Sequence, residues 1–388
     1  MYRNCRQWGG NRIALRKKRY GIWKEYTWGD CYQKTKAISL GLTCLGLGAG
    51  DAVSILGDNN PEWFWCELGV QAARAVVAGL NPGGSNEETK GLMTLSRAKF
   101  ALAQDQEQVD KLLQIKKELP SIQKIVYWQE KGLRHYSDPT VISLAEVMRL
   151  GEDRERSQPG DFERKLAHAK GNDIAMMLFT LGANGALKVV PATHSFLISS
   201  AEAALASNPV YSSDEYASII SPAWYFEQTL GFGVSLLRGQ KLNFAEKVDT
   251  LPEDSREISP HALAYPPKLW EKIAEAIQEN TASSTWLKRA LFNRSLSMGY
   301  ERADLLSKGG QMNPLKKFNW RIADLTVFHP LRDKHGLNRA RVIYVAGALL
   351  SKETQRFFRA VGVDVKQIFG STKSGIVLAP PPDDLRIE

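Results

Sequence analysis

The stretch FTLGANGALKVV, residues 179–190, follows directly on the apolar run IAMML and sets two glycines three apart with a lysine three further on. A strand that ends in a glycine-rich loop before a helix turns backbone N–H groups toward the helix N-terminus, a favourable place for phosphate oxygens. Gly182 and Gly185 would let the backbone approach such a ligand, Thr180 and Asn184 could hydrogen-bond it, and Lys188 could pair with its charge. The chemistry in view is nucleotide binding. No Gly-Lys-Ser/Thr follows, so this is not a Walker loop, and a plain strand-to-helix turn fits the same residues. A second candidate, IFGSTKSG at 368–375, also runs a strand into glycine, with the Ser371 and Thr372 hydroxyls at the turn. Taken alone it reads equally as a capped turn or a ligand contact.

Both segments need rigid elements to aim them. Apolar runs of strand length alternate with helical patterns: helix at 32–46, strand at 52–58, helix at 61–75, then AVVAGLNP, SNEETKGLMTLSR, KFALAQD, QEQVDKLLQIKKELP and IQKIVYW in the same alternation. Such alternation predicts parallel strands buried by helices on both faces. Residues 151–172 are charged, carry no strand signal and read as a surface connection. A second series opens at IAMMLFT (174–180), continues through YASIISP, KLNFAE and ALAYPP, and ends with the strand ARVIYVAG (340–347), a helix over 351–361 and the strand VKQIFG (365–370). Between them, 281–341 reads as largely helical and basic, and its aromatics Trp286, Phe292, Phe318, Trp320 and Phe328 are spaced as core residues.

The 388 residues are 43% hydrophobic and 24% charged, enough for two or three compact units with a sizeable core. Lysine and arginine number 51 against 42 acidic residues, an excess of 9 that suits anionic partners, whether nucleotides, coenzyme A, an acidic membrane surface or nucleic acid, among which charge alone does not choose. The cysteines, Cys5, Cys31, Cys44 and Cys66, lack zinc-ligand spacing and are expected as reduced thiols of a cytoplasmic protein. Basic residues interrupt the first thirty positions, which argues against a signal peptide, and no run approaches the roughly 18 apolar residues of a membrane span. Membrane contact, if made, is expected to be peripheral, and no nucleic-acid partner is expected.

In order along the chain, YGIWKEYTW (20–28), ILGDNNPEW (55–63), GLRHYSDP (132–139), the run 243–273, LFNRSL (291–296), FHPLRDKHGL (328–337) and FFRAVGVDVKQIFGSTKSG (357–375) resemble the long-chain acyl-CoA synthetases of the adenylate-forming superfamily. The resemblance covers essentially the whole sequence. It implies an α/β fold, the large N-terminal domain of adenylate-forming enzymes. That domain has two α/β subdomains with mostly parallel sheets, here 1–170 and 171–345, followed by the adenine-pocket segment and an incomplete β region at 346–388. It implies an AMP-forming fatty acid–CoA ligase that takes ATP, Mg²⁺ and coenzyme A and joins a fatty carboxylate to AMP before passing the acyl group to the thiol. Loss of pyrophosphate from ATP requires neutralisation of its charge by loop amides, hydroxyls, lysine and metal. The sequence ends before the region where the family places its ribose motif, hinge and small C-terminal lid.

Carried over residue by residue, 179–189 lies on the family loop Tyr-Thr-Ser-Gly-Thr-Thr-Gly-x-Pro-Lys-Gly. Thr180, Gly182, Gly185 and Lys188 match; Leu181, Ala183, Asn184, Leu187 and Val189 replace serine, two threonines, proline and glycine. Residues 369–373 lie on Tyr-Gly-x-Thr-Glu. Phe369 stands for the adenine-stacking tyrosine, Gly370 and Thr372 match, Ser371 fills the free position, and Lys373 replaces the glutamate that holds magnesium. Ala346, Gly347 and Ala348 match the adenine-pocket stretch, while Trp224, Tyr225 and Glu227 match a motif beside the acyl and adenylate site. Thr180, Lys188 and Thr372 are the catalytic candidates; Gly182, Asn184, Gly185, Ala346, Gly347, Ala348, Phe369, Gly370 and Ser371 are the nucleotide candidates. Three lost hydroxyls and an ammonium in place of a metal-binding carboxylate imply impaired catalysis, and a non-catalytic nucleotide- or acyl-binding protein, or a gene fragment, is the alternative.

Overall fold

The computed structural model describes residues 1–181, 186–371 and 375–378, and its strands follow the apolar runs closely. In chain order they are β1 (Ile13–Arg19), β2 (Ile22–Thr27), β3 (Ala52–Leu56), β4 (Val76–Leu80), β5 (Phe100–Ala103), β6 (Lys124–Tyr127), β7 (Val141–Ser143), β8 (Ile174–Leu181) and β9 (Leu187–Thr193). They continue as β10 (Glu215–Ser218), β11 (Lys241–Phe244), β12 (Ala262–Tyr265), β13 (Val342–Val345), β14 (Lys366–Gln367), β15 (Phe369–Ser371) and β16 (Gly375–Leu378). One sheet has the order β7-β6-β5-β3-β4-β8-β9, the other β14-β13-β12-β10-β11-β1-β2, and β15 and β16 form a separate hairpin. Every pairing within the first sheet is parallel except β8 with β9, and within the second except β1 with β2.

Side chains alternate between two cores because successive residues of a strand point to opposite faces. On β12, Ala262 and Ala264 enter the core shared by the two sheets, while Leu263 and Tyr265 face the opposite core with Trp270 and Phe358. On β5, Phe100 and Leu102 point into the shared core, and Ala101 and Ala103 into the outer layer with Leu92 and Leu112. Both faces are therefore buried, as parallel strands require. The shared core also holds Trp28, Phe64 and Val70, so helices Trp28–Cys44 and Pro61–Ala72 lie between the sheets.

Sheet membership cuts across the expected boundaries at 170 and 345. The hairpin β1–β2 joins the second sheet beside β11, and β8–β9, expected to open the second unit, extends the first sheet beside β4. The run of Arg16 to Arg19 hides β1 from a hydrophobicity reading; Lys18 is nonetheless buried there, 2.8 Å from the buried Asp254 carboxylate. Alternation also predicts only parallel neighbours, and the two antiparallel edge strands are what it misses. Nor is 151–172 only a connection: helices Leu144–Ser157 and Asp161–Ala167 occupy most of it. The first packs on Trp28–Cys44 so closely that a Cβ on Gly41 would sit 1.9 Å from the Val147 carbonyl oxygen, and one on Gly151 the same distance from that of Ala37. In the basic helices, Phe292 and Phe328 are core residues and Trp320 is half-buried, but Trp286 and Phe318 are 74% and 60% exposed. The spacing of those two is right for a helix, yet they face outward.

Candidate functional site

Ligands of open parallel sheets bind outside the carboxyl ends of the strands, and there the candidate segments meet. The turn after β10 carries Ala223, Trp224 and Tyr225 across to the first sheet. A Cβ on Gly79 of β4 would lie 2.8 Å from the Ala223 Cα, so only glycine permits this approach. From the end of β3, the Asn59 amide donates to Ser218 Oγ at 2.8 Å and to the Ile220 carbonyl at 2.7 Å, tying the two sheets at the same level. Trp224 is 49% exposed, with its ring edge 3.9 Å from where a Cβ of Gly347 would stand.

Gly347 follows β13 at φ +94, a left-handed conformation that glycine adopts without strain. Ala346 is buried beneath it, whereas Gly347 and Ala348 are exposed. Gln367 fixes this loop by donating to the Ala348 carbonyl at 3.0 Å and accepting from the Leu350 N–H at 3.3 Å. The β15–β16 hairpin, which carries Phe369, Gly370 and Ser371, closes over the other side of the turn. A Cβ on Gly375 would meet Ser200 Oγ at 3.0 Å and the Tyr225 hydroxyl at 3.3 Å. Tyr225 is buried, its ring against Phe196 and Phe226.

Thr180 and Lys188 are direct partners across the β8–β9 hairpin and so share one of its faces, with Lys188 exposed. The loop tip with Gly182, Asn184 and Gly185 lies outside the described residues, as do Thr372 and Lys373. Helix His194–Ser207, capped by the Thr193 hydroxyl, leads away from β9 to bring Phe196 and Ser200 against Tyr225 and Gly375.

Glu227 sits differently from an open substrate contact. It begins a π-helical segment, Glu227–Gly233, a rare winding that concentrates at functional sites, but its carboxyl is fully buried. The Tyr216 hydroxyl donates to one oxygen at 2.9 Å and the Ser218 hydroxyl to the other at 2.6 Å. Burial pushes its pKa up to about 8 against the pull of those two donors. The next residue, Gln228, donates at 2.7 Å to a second buried carboxyl, Glu67 of helix Pro61–Ala72, which burial lifts to about 7. Trp63 and Gln71 also donate to Glu67, and Gln228 holds the Pro222 carbonyl at 2.7 Å. This chain of bonds fixes the Trp224 turn from beneath. Glu67 and Gly79 escape a motif reading, and Asn59 lies in the segment ILGDNNPEW without being marked as a site residue; the only signal for Glu67 is a carboxylate inside the apolar helix PEWFWCELGVQA.

A mostly apolar groove of about 580 Å³ opens beside this network, between helices Pro61–Ala72 and His194–Ser207 and the segment 227–238. Leu68, Leu197, Ile198, Phe232 and Leu236 are among its lining residues, as are Glu67 and Gln228. Among the described residues there is no cluster of three or more His, Cys, Asp or Glu that could hold a metal ion. No helix among them is long and apolar enough to cross a membrane.

Residues 1–387 match the family described as AMP-binding enzyme. The long-chain-fatty-acid–CoA ligase ACSBG2 of Xenopus laevis is 25% identical over 386 residues, covering 97% of this chain and 51% of that protein. ACSBG1 of Rattus norvegicus, with the same activity in its name, is 25% identical over 372 residues, covering 94% and 50%. Among solved structures, the anthranilate CoA ligase AuaEII in complex with anthranoyl-AMP superposes with a TM-score of 0.68 at 17% identity, over 95% of this chain and 58% of that one. The Brucella canis acyl-CoA synthetase gives 0.66 at 20%, over 96% and 57%. The chain spans about half the length of the curated relatives it matches.

Proposed function

The chain belongs to the AMP-binding enzyme family, and from that premise we propose that it binds ATP and a long-chain fatty carboxylate in the manner of the AMP-forming fatty acid–CoA ligases. The observation that carries this reading is the convergence, at the carboxyl ends of β4, β10 and β13, of the Trp224–Tyr225 turn, the exposed Gly347–Ala348 loop and the β15–β16 hairpin. Lys188 and Thr180 contribute from the neighbouring β8–β9 hairpin, where an exposed ammonium beside a hydroxyl suits phosphate. ATP supplies the leaving group that a carboxylate lacks, coenzyme A the accepting thiol, and Mg²⁺ charge neutralisation by family likeness alone. The protein's part is to hold the nucleotide against the exposed Gly347–Ala348 edge, to give the acyl chain the apolar groove beside Glu67 and Gln228, and to set the carboxylate near Trp224. Peripheral contact with a membrane, where long-chain fatty acids reside, belongs to the same reading.

A second reading, nucleotide and acyl binding without turnover, is favoured by the residues at 181, 183, 184 and 373, which lack the hydroxyls and carboxylate of the family loops. ATP–pyrophosphate exchange with palmitate and Mg²⁺, run beside ATP titration calorimetry, separates the two. Exchange above a protein-free control carries the ligase reading, and binding without exchange carries the second. Neither binding nor exchange by a folded protein overturns both.

A further inference from the structure

The helix Pro314–Ala323 and the turn that continues it carry an apolar stripe that points away from the protein. Leu315, Phe318, Ile322 and Leu325 are 48–72% exposed and spaced three, four and three apart, which puts them on one face. The opposite face attaches the helix to the body: Ala323 and Phe328 are buried, and Trp320 packs with the Arg302 guanidinium 4.1 Å above its ring. The outward stripe is therefore a feature of an anchored helix and is not a core face left over. Lys317 and Arg321 flank it, both exposed. The helix itself contains no acidic residue.

The antecedent helix Trp286–Ser307 repeats the pattern at its start. Trp286, Leu287 and Leu291 are exposed together with Lys288, Arg289 and Arg294, again with no acidic residue from 286 to 300. Apolar side chains that include tryptophan and phenylalanine, bordered by lysine and arginine, are the composition of a helix that lies in the headgroup boundary of a bilayer.

We propose that this helical pair docks the protein on the surface of an anionic lipid bilayer, with Leu315, Phe318, Ile322 and Leu325 entering the interface and Lys317 and Arg321 meeting lipid phosphates. Charge complementarity selects this occupant. A second copy of the chain would set one basic face against another, and a nucleic acid would leave the aliphatic members of the stripe in water. The proposal names the membrane surface within the fatty-acid reading, but its evidence is the exposure and charge of these helices alone.

Flotation of the full chain with phosphatidylcholine vesicles, with and without 30 mol% phosphatidylglycerol (about a third of the lipid, an amount that gives a substantial surface charge), tests it without nucleotide or fatty acid present. A failure of ligase activity therefore does not bear on the outcome. The protein should partition at least ~10-fold more strongly to the anionic vesicles, and the preference should shrink in high salt. The double substitution Phe318→Asp with Ile322→Asp should lower partitioning ~10-fold or more, and Lys317→Glu with Arg321→Glu should lower both the anionic preference and its salt dependence, leaving only the share due to Lys288, Arg289 and Arg294. Circular dichroism checks that both variants fold, which the exposure of all four positions favours. Equal partitioning to both vesicle types, or anionic binding that neither variant lowers, overturns the proposal. So does tight binding of a labelled oligonucleotide in place of vesicles.

Discussion

Glu227→Gln tests whether the Trp224 turn rests on a carboxyl that prefers to stay protonated. Burial lifts the group from 4.5 to about 8. Because the folded protein holds this proton more tightly than the unfolded chain, the stabilisation tied to it is complete below about pH 4.5 and is lost as the pH rises through about 8. At ~1.4 kcal/mol per pH unit of differential proton binding, integration between pH 6 and 9 gives a loss of about 3 kcal/mol through Glu227. Other groups titrate in that window: Glu67, raised to about 7, acts in the same direction, and Lys17, lowered to about 8 by burial, acts in the opposite one. Lys17 is common to both proteins and cancels in the difference, whereas the Glu67 charge also raises Glu227, so the part of the Glu67 titration that depends on this repulsion is lost with the carboxyl. Glutamine keeps the shape of the side chain, and the Ser218 or Tyr216 hydroxyl can turn to accept from its amide. Urea unfolding followed by tryptophan fluorescence at pH 6, 7, 8 and 9 should give a variant whose stability falls about 3 kcal/mol less over the interval than the wild type, with unchanged m-values. A variant that keeps the full wild-type slope would falsify the assignment and move the proton to another group.

Three further outcomes follow from named contacts. Gly41→Ala drives a Cβ into the Val147 carbonyl, a backbone atom of the facing helix; the overpacking, at the upper end of about 1–3 kcal/mol, should exceed the ~1 kcal/mol gained in helix propensity and lower the melting temperature. An unchanged Tm would mean that the two helices slide apart freely. Lys18→Met leaves the fully buried Asp254 with only the Glu246 N–H and the Thr250 hydroxyl, and a loss of about 3 kcal/mol is expected, largely recovered on adding Asp254→Asn. No recovery in the double variant would show that the lysine acts through another partner. Ile198→Arg places a cation in the apolar groove at a half-exposed position; palmitate binding by calorimetry should weaken ~10-fold or more while ATP binding holds, consistent with the cost of desolvating a charge. Equal loss of both ligands would point to a folding defect, and no loss would take the acyl chain out of this groove.

The sequence made the strands of both sheets legible because parallel strands buried on two faces are continuous apolar runs, as at AVSIL and FALA. It hid β1, whose consecutive basic residues find partners distant in sequence: Arg16 at Glu215, Lys17 at the Ala245 carbonyl, Lys18 at the buried Asp254 and Arg19 at Glu62. In the basic region it assigned helical spacing and the core places of Phe292 and Phe328 correctly but gave Trp286 and Phe318 to the core as well, since periodicity fixes which residues share a face and not which way that face turns. At the candidate site, the motif segments mark Trp224, Gly347 and the β15 strand. What places them is chosen by contact in space: Gly79, because a backbone crosses it, and Glu67, because Gln228 reaches it from the other sheet. No local pattern encodes either.

The residues that set the loops in place are separate from those that would touch phosphate. Gly79, Gly347 and Gly375 act by lacking a side chain where another segment passes or the backbone turns left-handed, and Asn59, Gln367, Gln228 and Glu67 act by tying loops to strands. None of them belongs to the phosphate-loop positions at which this chain departs from the family. On the reading proposed above, the loss of each hydroxyl that the family loop has at 181, 183 and 184 and this chain lacks would remove a charge-assisted hydrogen bond to phosphate of about 1.5–3 kcal/mol. A scaffold damaged at Gly79 or Glu67 would instead lose nucleotide and acyl binding together with stability. On the proposed reading these effects separate, with binding and fold retained while turnover falls, and ATP–pyrophosphate exchange run beside ATP titration tests it.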